Sequence, residues 1–108
     1  MAKYLIEASY SQAGLKALVK DGGTGRRKAV EAATKALGGR VESMYFAFGT
    51  SDVYVIVDAP DNITVAAFAL AVGGTGVAAH LKTIVLLTPE EVDQAAKKSA
   101  GSGYRAPG

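Results

Sequence analysis

The sequence predicts a single α+β domain in the order βαββαβ, with one further helix at its C-terminal end. Three observations carry that prediction. Arg40–Asp58 holds two strand-like runs that meet at Phe48-Gly49-Thr50-Ser51-Asp52; a strand and a helical stretch precede this hairpin; a helix and a strand follow it. The second run of the hairpin, Val53-Tyr54-Val55-Ile56-Val57, is apolar on both parities and rich in β-branched and aromatic residues. An antiparallel strand usually shows water one polar face, so two apolar faces are expected to be covered. Helices of one small chain cover one of them. A second molecule or a ligand is expected on the other.

Taken in order, Lys3–Tyr10 is the first strand, with Tyr4, Ile6, Ala8 and Tyr10 on one face and Leu5, Glu7 and Ser9 on the other. Ser11 is placed to cap a helix whose stripe is Leu15, Leu18 and Val19. Asp21-Gly22-Gly23-Thr24-Gly25 should interrupt it, since glycine disfavours helix, and the spacing is read as a loop able to act as a flap. Helix resumes over Arg26–Leu37 with Val30, Ala33 and Leu37 inward, and Gly38-Gly39 ends it with a left-handed cap. In the hairpin, strict alternation sets Val41, Ser43, Tyr45 and Ala47 against Glu42, Met44, Phe46 and Phe48. Asn62, after Pro60-Asp61, is expected to cap the helix Ile63–Val72, which is apolar nearly all round and so should be buried on more than one side. Gly73-Gly74-Thr75-Gly76 stops that helix. His80–Leu87 is the last strand, with His80, Lys82, Ile84 and Leu86 opposite Leu81, Thr83, Val85 and Leu87. Thr88-Pro89-Glu90-Glu91 is a capping-box start for a helix to about Ser99.

This order is the split βαβ pattern of a ferredoxin-like domain, a four-stranded antiparallel sheet with helices on one face. Residues 1–99 are expected to form the one domain and 100–108 an irregular tail, with Tyr104 and Arg105 as its anchors on a neighbouring subunit. Two sheets meeting face to face, about 10 Å apart, would bury the open side and leave a small cavity between them.

Composition narrows the function classes. The chain of 108 residues supports a single core, and 49% hydrophobic with 20% charged residues argues against disorder. A net charge of +2 with scattered basic residues gives no nucleic-acid footprint. Cysteine is absent, which excludes disulfides and thiolate metal sites, and nothing calls for a cofactor. The N-terminal stretch carries Glu7 and no long apolar run, unlike a secretory signal. Ile63–Leu81 lacks Asp, Glu, Lys and Arg, yet Gly73, Gly74, Gly76 and His80 break it, so helix, turn and strand fit better than a membrane span. The expectation is a soluble, cytoplasmic protein whose partners are itself, as a dimer or multiple of dimers, and a small ligand.

The segments DGGTGRR, LGGRVESMYFAFGTSDVYVIVDAPDN and LLTPEEV resemble the GYD domain family of small bacterial proteins over nearly the whole chain. The resemblance implies a dimeric α/β barrel of ferredoxin-like subunits with no established activity. One departure stands out, Ser51 where the family pattern leads one to expect Tyr before Asp52. More distantly, Gly49…Asp52, the following helix and Gly76-Val77…Thr83 are similar to the amino-acid-sensing domain of Lrp/AsnC regulators, which points to ligand sensing between subunits.

The candidate chemistry is sparse. His80, the only histidine, is the natural general acid or base near neutral pH, although a surface histidine at a strand end is the commoner case. Asp52 could hold an amine or orient His80; a carboxylate accepting turn amides is the commoner role. Arg26 and Arg27 after the glycine run could form an anion cradle, without the spacing of a P-loop, although a loop with solvated arginines is the commoner case. Tyr54 and Lys82 complete the expected ligand-binding set. The function expected is an oligomeric module binding a small anionic or aromatic molecule near the sheet interface. The alternatives are a cofactor-independent enzyme of monooxygenase, isomerase or decarboxylase type, using His80 with Asp52 or Lys82, and a structural self-assembling protein.

Overall fold

A computed structural model describes residues 1–108, in the order β1 (Ala2–Tyr10), α1 (Gln12–Ala36), β2 (Arg40–Phe46), β3 (Val53–Ala59), α2 (Asn62–Gly73), β4 (Ala78–Leu86) and α3 (Pro89–Ser99). The four strands form one antiparallel sheet ordered β2-β3-β1-β4, the ferredoxin-like arrangement. Alternation does what the sequence predicts in β1 and β3. Tyr4, Ile6 and Ala8 pair with Val57, Val55 and Val53, and all six are buried beneath Val65 and Phe68 of α2. Leu5, Glu7, Tyr54 and Ile56 point to the opposite, helix-free side.

Strand β2 departs from strict alternation. Arg40 and Val41 pair with Asp58 and Val57, but the next partner of β3, Ile56, is taken by Ser43. Glu42 is the extra residue of a bulge, and it moves Val41 onto the core side with Met44 and Phe46. The bulge leaves Glu42 within 2.9 Å of Lys3 Nζ.

Helix α1 runs through the predicted interruption. Only Gly22 leaves helical geometry, at φ 74° and ψ 167°, so the glycine run is a one-residue kink and no separate flap exists. Gly23 then lies where a Cβ would come within 3.2 Å of the Phe46 ring, a close approach that lets α1 cross β2. The predicted stripe of the first half is largely uncovered: Leu15 and Val19 are exposed and Leu18 is half-buried. What seats this half is backbone. Ser11 N donates to Val77 O at 2.9 Å, and a Cβ on Gly14 would sit 2.0 Å from that same carbonyl. Ser11 caps the helix as predicted. At the other end Gly38, at φ 87°, donates to Lys35 O while Gly39 donates to Thr34 O, the two hydrogen bonds of a Schellman cap.

Asp61, not Asn62, caps α2, its carboxylate accepting from the Thr64 amide and hydroxyl; these bonds hold its pKa below 3.8, the hydroxyl's first. Asn62 Oδ1 instead accepts from the Tyr4 hydroxyl at 2.5 Å. β4 begins two residues earlier than predicted, with the predicted faces. α3 has the full capping box at Thr88 and Glu91. No helix is long and apolar enough to cross a membrane.

At the β1 start, Lys3 Nζ lies 2.9 Å from Asp58 Oδ1 and Arg40 Nη2 lies 2.6 Å from Asp58 Oδ2, staples across β1, β3 and β2. Asp58 is buried, and its hydrogen bond from Lys3, helped by Arg40, outweighs burial and holds its carboxyl below the ordinary 3.8. Lys3 is raised above 10.5 chiefly by Asp58, then by Glu42. Because folding lowers the Asp58 pKa, its contribution is complete above that ordinary value and disappears as pH falls through the lowered folded value. Asp58→Asn is therefore expected to cost about 1–3 kcal/mol at pH 7. In urea unfolding the gap from wild type should narrow steadily below pH 3.8; a gap that stays constant to pH 2 would refute the assignment.

Candidate functional site

The open face of the sheet is built in cross-strand rows. One end carries Arg40, Asp58, Lys3 and Leu86, and its charges are already paired. The middle row is Ser43, Ile56, Leu5 and Ile84, apolar across three strands. The next row is Tyr45, Tyr54, Glu7 and Lys82, and His80 lies beyond it, opposite Ser9. The far end of the face thus gathers a phenol pair, a carboxylate, an ammonium group and an imidazole beside an apolar floor.

Three predicted site residues, Tyr54, His80 and Lys82, share this face. His80 and Lys82 are exposed and Tyr54 is half-buried. Glu7, which sequence reasoning placed on this face without a role, stands between Tyr54 and Lys82. Its only recorded side-chain hydrogen bond comes from Ser51 Oγ, at 3.4 Å. No ion pair joins it to Lys82, although the two are direct cross-strand neighbours. The signal that could have found Glu7 was available: it is the one acidic residue of β1, on the parity shared with Leu5. Ser51 is buried. Its hydroxyl turns toward the Glu7 carboxylate.

Asp52 sits at the rim, but its groups are engaged. Its amide donates to Ala8 O at 2.9 Å, its carbonyl accepts from Ala47 N at 2.8 Å, and Oδ2 accepts from Tyr10 N at 2.8 Å. The amide it accepts thus belongs to β1, not to the turn. Ser9 Oγ donates to Thr50 O at 2.9 Å, closing the same corner.

Arg26 and Arg27 are not part of this cluster. They belong to α1, on the helix side of the sheet. Arg26 is mostly buried, 3.6 Å from Asp21, above a gap lined by Val30, Phe68, Val72 and Val77. Arg27 lies on the exposed flank, 4.0 Å from Glu31. A single chain therefore splits the predicted ligand set between two sides of the sheet. Nowhere do three His, Asp or Glu side chains group closely enough to hold a metal ion.

The fold and this face define a class: a small ferredoxin-like α+β protein whose uncovered sheet carries its polar groups at one end. More narrowly, the model of the GYD domain matches residues 4–96, and the chain belongs to that family. No curated protein matches it.

The two rim residues should behave differently. Asp52→Ala is expected to lower unfolding stability by about 1–3 kcal/mol, because a half-buried strand amide loses its charged acceptor. His80→Ala should stay within about 0.5 kcal/mol of wild type, as for surface positions generally. Urea denaturation of both variants checks this; equal losses would mean that His80 has a structural partner.

Proposed function

We propose that the protein pairs through its open sheet and binds a small anionic or aromatic molecule where the two polar ends meet the apolar floor. The observation that carries this reading is the row Tyr54–Glu7–Lys82 with His80 beside it, on a face bearing Leu5, Ile56 and Ile84. An uncovered central strand with Ile56 and Tyr54 on its outer side favours a second sheet over water. In such a pair Lys82 and His80 attract an anionic group, Tyr54 and Tyr45 offer ring faces, and Glu7 accepts from a donor on the ligand. Arg26 and Arg27 would reach this ligand only from another subunit.

A second reading has one specific support. His80 and Glu7 carry no strong partner in the single chain and share a face, the pairing that acid–base chemistry uses. On that reading the protein is a cofactor-independent enzyme and His80→Ala abolishes turnover while fold and assembly survive. A purely structural assembler would instead form higher-order particles without ligand dependence.

Native mass spectrometry on protein never exposed to denaturant tests the main reading. Expected are a dimer or multiple of dimers, a releasable added mass, and a melting temperature that rises with benzoate or salicylate in wild type but not in Lys82→Ala. Ile56→Asp should lower the assembly mass seen by light scattering, by the share that the sheet contact contributes. Clean even-numbered oligomers with no response to aromatic carboxylates would remove the ligand and leave the pairing; monomeric wild-type protein would remove both.

A further inference from the structure

Helix α3 is a complete helix with no substantial packing partner in its own chain. Its N-terminus has a capping box, proline in the first turn and two glutamates there; its last turn has Lys97 and Lys98. Yet none of its 11 residues is buried. Isolated helices of this length are marginal in water, and those in proteins are held by packing of an apolar stripe. α3 has a short one: Val92, Ala95 and Ala96 recur at helical spacing, and Leu87 precedes the cap where it can staple Val92.

The same chain carries a matching vacancy. Helix α2 has no charged residue, and its outward side leaves Ile63 80% and Leu70 76% exposed. Between α2 and β4 runs an open cleft of about 480 Å³ lined by Val65, Ala66, Ala69, Leu70 and Val85. The floor is alanine on the α2 side and the α3 stripe is largely alanine, so two helix axes can approach at the short end of the usual 8–10 Å. The lengths agree as well, about 16 Å for α3 and about 18 Å for α2 at 1.5 Å per residue.

The joint argues against occupation by the chain's own helix. Only Leu87 and Thr88 separate β4 from α3. Thr88 is extended, at φ −72° and ψ 160°, as a residue before proline prefers, and its cap fixes the exit direction. With α3 and the exposed residues 100–108 both standing off the sheet, the chain is long, 55 × 33 × 22 Å, with a radius of gyration of 16.9 Å against about 13 Å for a compact chain near this length. It exposes 7347 Å². A compact monomer of 11.0 kDa exposes about 5,600 Å². The surplus of roughly 1,700 Å², shared among α3, residues 100–108 and the open sheet, leaves room for the 800 Å² or so that each partner of a standard interface buries.

We infer that α3 is an exchanged arm: it docks by Val92, Ala95 and Ala96 into the α2–β4 cleft of a second copy of this chain. This surface lies on the helix side of the sheet, so the inference stands apart from the sheet pairing and from any ligand.

Because the chain has no cysteine, a cross-link reports the contact cleanly. Ala66→Cys and Ala96→Cys are placed on separately tagged, co-expressed full-length chains and treated with a short bismaleimide. A covalent heterodimer is expected, and its loss when the Ala96→Cys chain also carries Val92→Asp. Circular dichroism confirms that the Val92→Asp chain remains folded. Two results would overturn the inference. One is a double Ala66→Cys/Ala96→Cys chain that closes on itself at monomer mobility while mixed chains give no heterodimer, which puts the arm in its own cleft. The other is no cross-link in either arrangement, or one that Val92→Asp leaves intact. Adding Ile56→Asp separates the two surfaces: the heterodimer should persist when the sheet can no longer pair.

Discussion

Asp52 ties three strands at one end of the sheet. Its amide is bonded to β1, its carbonyl to the segment leaving β2, and its carboxylate to the last amide of β1. At the opposite end Lys3 and Arg40 clasp Asp58 from both neighbouring strands. With both ends held, β1 and β3 cannot slip. A slip of one residue would carry Tyr4, Ile6 and Ala8 to the open face and drive Glu7 under the helices. The core and the polar cluster on the reverse side are therefore two consequences of one register. The cost of misplacing Glu7 is the larger, since a buried carboxylate without a partner is strongly unfavourable.

Much of this was legible from residue patterns, and the misses have physical causes. Period-two alternation reads faces correctly wherever a strand is regular, as in β1, β3 and β4. It fails in β2 because a bulge adds a residue without a marker in the sequence: Glu42 is drawn out by Lys3 on β1, a partner 39 positions away. Glycine content announces a break in α1, but a helix held at both ends tolerates several glycines and yields at the single one that adopts positive φ. Asp61 and Asn62 are equally good caps locally, and the Tyr4 hydroxyl, a tertiary partner, decides between them. Arg26 and Tyr54 could be grouped by chemistry; only topology says that a sheet lies between them. Glu7 was on the right face from the start, and its significance appeared only when register put Lys82 and Tyr54 on either side.

Charge is distributed unevenly along the open face. At one end every charge has a partner, so that end can be covered without loss. At the other, Glu7, Lys82 and His80 remain available beside two tyrosines. A cover that was only another apolar sheet would have to desolvate those groups without compensation. Two copies related by a two-fold axis would either bring the available groups against paired ends or against each other. In both arrangements something polar, whether water, a partner side chain or a ligand, must fill the space above Glu7.

The two uncovered surfaces impose different symmetries. A sheet meeting its own copy is an isologous contact, and it closes by itself. An arm entering a cleft joins unlike surfaces, which closes only when the exchange is reciprocal and otherwise runs on into a chain of subunits. What decides is the exit direction of α3, set by two residues and a cap at the end of β4. That strand is an edge of the sheet, and Val85 on it is largely uncovered. Edges with unpaired backbone and apolar side chains invite indiscriminate pairing, and proteins blunt them by covering them. A helix laid along α2 and β4 would screen this edge from further strands while leaving the open face free. An exchanged arm would then have a role that does not depend on any ligand: it would let a chain with an exposed sheet associate in one way rather than in many.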